Sequence, residues 1–200
     1  ETHIKEICDI VHSKGGLVYC DGANLNAIMG QSKVGDMGVD VLHINLHKTF
    51  TTPHGGGGPG AGPVGVKAIL KPFLPYPIIE KSGDTYSLNK DLPQSIGKIQ
   101  AFLGNFAMLV RAYTYIREMG PEGLKKVSQL AVLNANYIKK KLEGTFDIPF
   151  NKDVMHEVIL SDKSLKGTGV KTLDFAKRII DYGMHPPTIY FPLVVQGAFM

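Results

Sequence analysis

Two residues have the means to do covalent chemistry, and each sits at the end of an apolar run. The stretch Val41-Leu-His-Ile-Asn-Leu46 reads as a buried strand and ends in His47-Lys48. A lysine held there away from bulk water loses some of the stabilisation of its charge and becomes a nucleophilic amine, the kind that forms an imine with a carbonyl. The plainer reading is a surface lysine at a strand end. A second run, Leu17-Val-Tyr-Cys20, reads as a short strand followed by Asp21-Gly-Ala-Asn24. Alone, an aspartate in that place is most simply a turn former or helix cap.

The elements that must position them come next. In open α/β sheets the ligand crevice lies at the carboxyl ends of the strands. If 17–20 and 41–46 are parallel neighbours, Asp21 and Lys48 emerge on one edge, and residues 26–40 are long enough for a short crossover. Before them, residues 2–14 read as a helix with Thr2 as its cap, Ile4, Ile7, Cys8 and Val11 as its apolar stripe, and Gly15-Gly16 as its stop. Residues 63–66 are a further strand and 68–70 a helical turn. Residues 72–95, punctuated by proline and glycine, read as an extended connection without packed elements. A long helix is expected over 96–119, broken at Gly120-Pro121, and a second one runs to about Leu142 and stops at Gly144. Strand 154–160, helix 172–182 and strand 188–195 form a βαβ-like ending. The expected division is 1–95 as part of a large domain, 96–144 as a helical connection and 145–200 as an incomplete small α/β domain.

Placed together at neighbouring strand ends, Asp21 and Lys48 match the needs of pyridoxal 5'-phosphate (PLP). The amine forms an imine with the aldehyde, and the carboxylate keeps the pyridine nitrogen protonated so that the ring can take up a carbanion's charge. Ala23 is small enough to lie against the ring, and His47 could donate to the phosphate. The run Gly55-Gly-Gly-Gly58-Pro-Gly60 lacks the Gly-Lys-Ser/Thr ending of a nucleotide loop, and it neither follows a strand nor opens a helix, so it reads as a turning loop beside the site. His43, His47 and His54 do not have a ligand spacing suited to a strand, so no metal site is expected.

Composition narrows the class. The 200 residues are 44% hydrophobic and 20% charged, with a net charge of +4, which is ordinary for a globular protein. The basic run Lys139-Lys-Lys141 reads as a solvated helix face, not a nucleic-acid patch. Two cysteines are too few for a disulfide framework and point to a reducing compartment. No leader or apolar span of 18 residues is evident, so no membrane role is expected. The chain begins at Glu1 and reads as part of something longer.

Three stretches carry a resemblance. Val18-Tyr-Cys-Asp-Gly-Ala-Asn-Leu-Asn-Ala27, Leu46-His-Lys-Thr-Phe50 with Pro53 to Gly60, and Leu133-Asn-Ala-Asn-Tyr137 resemble the glycine decarboxylase P-protein of the glycine cleavage system. Ser95-Ile-Gly-Lys98 and Gly104-Asn-Phe106 are more similar to its bacterial two-subunit form, subunit 2. The resemblance implies a PLP enzyme of the aspartate-aminotransferase architecture (fold type I), with Lys48 as the Schiff-base lysine, Asp21 as partner of the pyridine nitrogen, Ala23 on the ring face and His47 on the phosphate. It also implies glycine as substrate, loss of carbon dioxide, and transfer of the aminomethyl group to the lipoyl arm of the H-protein. The other P-protein subunit, in a heterotetramer, and a bacterial cytoplasmic location are implied too. The family's pocket also uses a segment before Glu1, and the family continues past Met200 into a segment that completes the small domain, so this chain alone is expected to be inactive. Two alternatives stay open: another fold type I enzyme, such as an amino-acid decarboxylase or lyase, or a non-catalytic scaffold subunit.

Overall fold

The structure is a computed structural model that describes residues 2–53, 60–99, 101 and 103–200. It divides into two compact units, Glu1–Lys125 and Lys126–Met200.

In the first unit, α1 (Ile4–Ser13) presents Cys8 as its fully buried residue. His3 stands at its N-cap position without a side-chain cap bond, so Thr2 does not serve as cap. Gly15, at φ +76°, supplies the left-handed residue that lets the chain leave the helix. β1 (Tyr19–Gly22) and β2 (Val41–Ile44) then pair in parallel, with Asp21 opposite His43 and Gly22 opposite Ile44. The expected parallel neighbours are therefore real, although β1 is displaced by two residues and contains Asp21. At Gly22 there is no room for a side chain. A Cβ there would run into the His43 carbonyl oxygen and come within 2.7 Å of Leu42 Cδ1. β3 (Val64–Val66) closes the sheet on the other side of β2, antiparallel.

One carboxylate ties these elements together. Asp40, only 4% exposed, accepts from the Val18 backbone N–H at 2.7 Å, contacts His12 Nε2 at 2.7 Å and lies 3.2 Å from Lys67 Nζ. These donors pull its pKa down to about 2, the Val18 N–H first and the His12 bond next, against the opposing effect of burial. The result joins α1, the entry to β1, the start of β2 and the exit of β3 through one side chain.

Beyond the sheet, the stretch expected to be featureless contains a hairpin. β4 (Ile78–Ser82) and β5 (Thr85–Asn89) pair antiparallel around Gly83-Asp84, with Gly83 at φ +58°. Gly83 supplies the positive φ of a tight hairpin turn; of its flanks, Thr85-Tyr-Ser-Leu-Asn89 alternates polar and apolar residues and Ile78-Ile-Glu-Lys-Ser82 does not. The expected helix at 96–119 starts only at Phe106. Gly97 (φ +99°) and Gly104 (φ +73°) hold the preceding apolar residues out of helical geometry. α3 (Phe106–Leu142) is interrupted at Gly120, at φ +60° and ψ −179°, and resumes with Pro121, where a proline is tolerated in a first turn.

The second unit builds its core from Val158, Leu160 and Phe199, with Leu142, Phe146, Ile148, Val154, Phe175 and Ile189 packed around them. Three phenylalanines meet edge to face or tilted: Phe146 lies 5.1 Å from both Phe175 and Phe199, and Phe175 lies 4.9 Å from Phe199. α4 (Thr172–Asp181) appears where expected and ends before Gly183 at φ +75°. The flanking strands do not. β6 (Leu160–Ser161) and β7 (Ala198–Phe199) are two residues each and pair antiparallel, so the ending is not a βαβ unit. The main chain there is fixed by backbone bonds between 147, 161, 188–190 and 197–200 and by side chains. Asn136 accepts from the Val154 N–H at 3.0 Å and donates to the Val154 carbonyl at 2.7 Å, while Thr172 donates to Asp162 at 2.7 Å. Lys139 also departs from expectation. It is 7% exposed and donates to the Lys152 carbonyl at 2.8 Å, leaving Lys140 and Lys141 as the solvated part of that run.

Candidate functional site

The site lies at the carboxyl ends of β1 and β2. Hydrogen bonding along β2 continues past its last strand residue: the Leu46 N–H reaches the Ala61 carbonyl at 3.1 Å. The Asn45 carbonyl, however, accepts from both Lys48 at 3.2 Å and Thr49 at 3.1 Å, which bends the chain into the single turn α2 (Leu46–Thr49). Lys48 therefore stands on a helical turn and not on a strand end, and its side chain is exposed. Its backbone carbonyl accepts from Asn26 Nδ2 at 3.3 Å, which pins the turn to the segment after β1.

Asp21 projects from β1 with a side chain 72% exposed. Its Oδ1 accepts from the Ala23 N–H at 2.9 Å, the geometry of an Asx turn, so the turn-forming role is present. The same oxygen lies 3.2 Å from His43 Nε2. Both contacts fall on Oδ1, leaving Oδ2 to meet a ligand. Ala23 is half-buried directly after Gly22. His47 lies in α2 beside Lys48, and Gly60 passes close to its ring, where a Cβ would make ordinary van der Waals contact at 3.7 Å.

Around Lys48 several buried polar atoms lack a partner among the described residues: Thr49 Oγ1, Thr52 Oγ1 and Asn26 Oδ1. Thr49 and Thr52 are only 4% and 5% exposed. A buried hydroxyl without a partner is costly and calls for a missing donor or acceptor. Thr51 between them adopts φ +55°, unusual for a β-branched residue and typical of places where function constrains the backbone. His54 and residues 55–59 of the glycine run lie outside the described residues, as do Gln100 and Phe102.

Sequence reasoning misses two participants. Asp40 is legible only as the end of a crossover, because its partners come from three distant segments. His43 suggests itself only as a metal ligand, yet it hydrogen-bonds Tyr19 Oη at 2.6 Å and contacts Asp21. Strand alternation could have found it, since Tyr19 and Asp21 share a face of β1 and His43 is in register with Asp21. The Cys20 thiol, by contrast, is pushed up by burial and then by the Asp21 charge, which argues against a nucleophilic cysteine.

The fold is that of PLP-dependent enzymes of fold type I. Over 98% of the chain it superposes on a crystal structure of glycine decarboxylase (P-protein) of the glycine cleavage system in inhibitor-bound form, with a TM-score of 0.78 at 18% identity, covering 46% of that chain. Mouse CSAD in apo form gives a TM-score of 0.63 at 12% identity, with 98% of this chain and 43% of that one covered.

Residues 127–200 match the family model described as "Glycine dehydrogenase, C-terminal domain". The whole chain is 58% identical over 200 residues to the probable glycine dehydrogenase (decarboxylating) subunit 2 of Bacillus cereus and to that of Halalkalibacterium halodurans. Over its whole length the sequence is similar to the glycine dehydrogenase (decarboxylating) subunit 2 proteins, and it spans 41% of the length of those relatives.

Proposed function

We propose that this chain supplies the cofactor lysine of a PLP-dependent glycine decarboxylase that passes the aminomethyl group of glycine to the lipoyl arm of an H-protein, together with a second P-protein subunit in the bacterial cytoplasm. The observation that carries the reading is the pairing of β1 and β2 in parallel, which brings Asp21 and Lys48 to one end of the sheet. The residues present fit the group: a lysine amine open to a ligand, an aspartate with one oxygen occupied and one open, and unpartnered buried polar atoms beside the lysine.

When bound, PLP supplies a protonated ring that takes up the electron pair left when carbon dioxide departs. Lys48 would anchor it through its amine, and the same amine could serve as proton donor or acceptor. Asp21 would hold the ring nitrogen through Oδ2, where a carboxylate favours the proton. Ala23 keeps the ring face unobstructed. His47 offers an imidazole N–H to the phosphate. The polypeptide that encloses this edge in the complete protein must exclude water, because a carbanion in contact with solvent is protonated before transfer.

The test is borohydride reduction of the complete protein with PLP, followed by peptide mapping. Pyridoxyl-lysine at Lys48, together with glycine-dependent release of carbon dioxide, supports the proposal. Label at another lysine overturns the site. Label at Lys48 with another amino acid as the preferred substrate leaves the site and replaces the reaction with that of a different fold type I decarboxylase or lyase.

A further inference from the structure

We propose that His43 is a positioning residue for Asp21, and that Tyr19 fixes which imidazole nitrogen carries the proton; this deepens the reading above and rests on it. The register sets the three side chains on one face. Tyr19 and Asp21 are two apart on β1, and His43 lies directly opposite Asp21 on β2. Tyr19 Oη is 2.6 Å from His43 Nδ1, and His43 Nε2 is 3.2 Å from Asp21 Oδ1.

The direction of these bonds follows from what each group can do. An ionised carboxylate only accepts, so Nε2 must carry the hydrogen. In a neutral imidazole Nδ1 is then the acceptor, and the tyrosine hydroxyl donates into it. The order is Tyr19 O–H to Nδ1 and Nε2–H to Oδ1. Tyr19 thus selects the tautomer that can hold the carboxylate.

The consequence falls on the orientation of Asp21. Its side chain is 72% exposed and would turn about χ2 if held at one point. Oδ1 instead accepts from the Ala23 N–H of its own turn at 2.9 Å, and the imidazole of the neighbouring strand stands against the same oxygen at 3.2 Å. With Oδ1 held from two directions, Oδ2 has one outward direction, which a charge-assisted bond to a ring N–H at about 2.8 Å requires. A histidine that merely covered the sheet face would need the tyrosine but not the carboxylate.

The experiment uses the complete enzyme with its partner subunit. In cofactor-free protein labelled with ¹⁵N-histidine, the resonances lost in His43→Gln should show the Nε2–H tautomer, and Tyr19→Phe should shift that signature toward a mixture. After loading with PLP carrying ¹⁵N in its ring, Asp21→Asn should move the ring-nitrogen signal to its unprotonated value. His43→Phe should move it part of the way and lower kcat about tenfold, the scale of one bond to a charged group, with KM for glycine within about twofold. His43→Gln keeps a donor and an acceptor and should restore most of both. An Nδ1–H tautomer in the wild type overturns the proposal. So does a wild-type ring signal in His43→Phe when Asp21→Asn has changed it. A wild-type ring signal in Asp21→Asn overturns the Asp21 reading itself and the proposal with it. Should His43→Phe fail to fold, the exposed Tyr19→Phe decides by its tautomer and ring signals.

Discussion

The two units solve the problem of stability in different ways. The carboxyl unit closes a small core of its own, with three phenylalanines in mutual contact and Val158, Leu160 and Phe199 between 2% and 9% exposed. Both units leave many large apolar side chains at the surface, among them Leu193 and Val194 in the carboxyl unit and Ile69, Ile79, Ile96, Ile99 and Phe106 in the unit that carries Asp21 and Lys48. Its order at the site depends on polar joints: the Asp40 cluster, the Asn26 bond to the Lys48 carbonyl and the close approach at Gly22. Apolar packing tolerates volume-conserving change, whereas a charged joint depends on each of its donors. Site and core should therefore fail independently, and for different reasons.

The sharpest break in the comparison is chemical. In the complete enzyme, Lys48→Ala should remove the absorbance band of lysine-bound cofactor and slow glycine decarboxylation by at least about a thousandfold, as loss of a covalent anchor does, while thermal unfolding stays within a few degrees of wild type. Spectrophotometric titration with PLP and calorimetry check the two halves. Next in size is Phe199→Ala, which empties the centre of the aromatic cluster and should cost about 3–5 kcal/mol. Denaturant melts followed at the carboxyl unit should show the loss, and PLP titration of the folded fraction should not.

The third expectation concerns acid. Asp40 has a folded pKa depressed to about 2, below the ordinary carboxylate value near 3.9. Its contribution to stability is therefore fully present above that ordinary value and is lost as pH falls through about 2. Asp40→Asn keeps an acceptor for the Val18 N–H but has no charge to lose. It should be less stable than wild type at neutral pH, and the gap should narrow between about pH 4 and pH 2. Urea melts at a series of pH values measure it, and a constant gap would mean that the Asp40 charge does not matter. The smallest effect is at Thr51. Thr51→Gly relieves a β-branched residue from φ +55°, worth about 1–2 kcal/mol in the folded state and partly offset by the freer unfolded chain. A rise in melting temperature of a few degrees or less is expected.

The proposed site residues are read from the order of residues alone: Lys48 and Asp21 are charged residues at the ends of apolar runs, where such a residue stands out against its neighbours. The break at Gly120-Pro121 and the helix ending before Gly183 are legible too, because glycine and proline act on the backbone locally. The hairpin at 78–89 is not fully so, since only Thr85-Tyr-Ser-Leu-Asn89 alternates, Ile78-Ile-Glu-Lys-Ser82 does not, and both strands are largely exposed. Nor is the burial of Lys139, whose place in a basic run suggests solvent although a backbone carbonyl thirteen residues away accepts from its amine.

The sequence by itself determined which residues could do chemistry, where the chain must turn, and, through 58% identity across all 200 residues, its relatives. Tertiary structure alone decided that β1 and β2 run in parallel with Asp21 opposite His43, that Lys48 sits on a helical turn, and that Asp40 joins four elements. The reason is range. Residue type, periodicity and glycine or proline act over a few neighbours, whereas strand register and a buried ion cluster depend on groups tens of residues apart, whose meeting leaves no local mark in the chain.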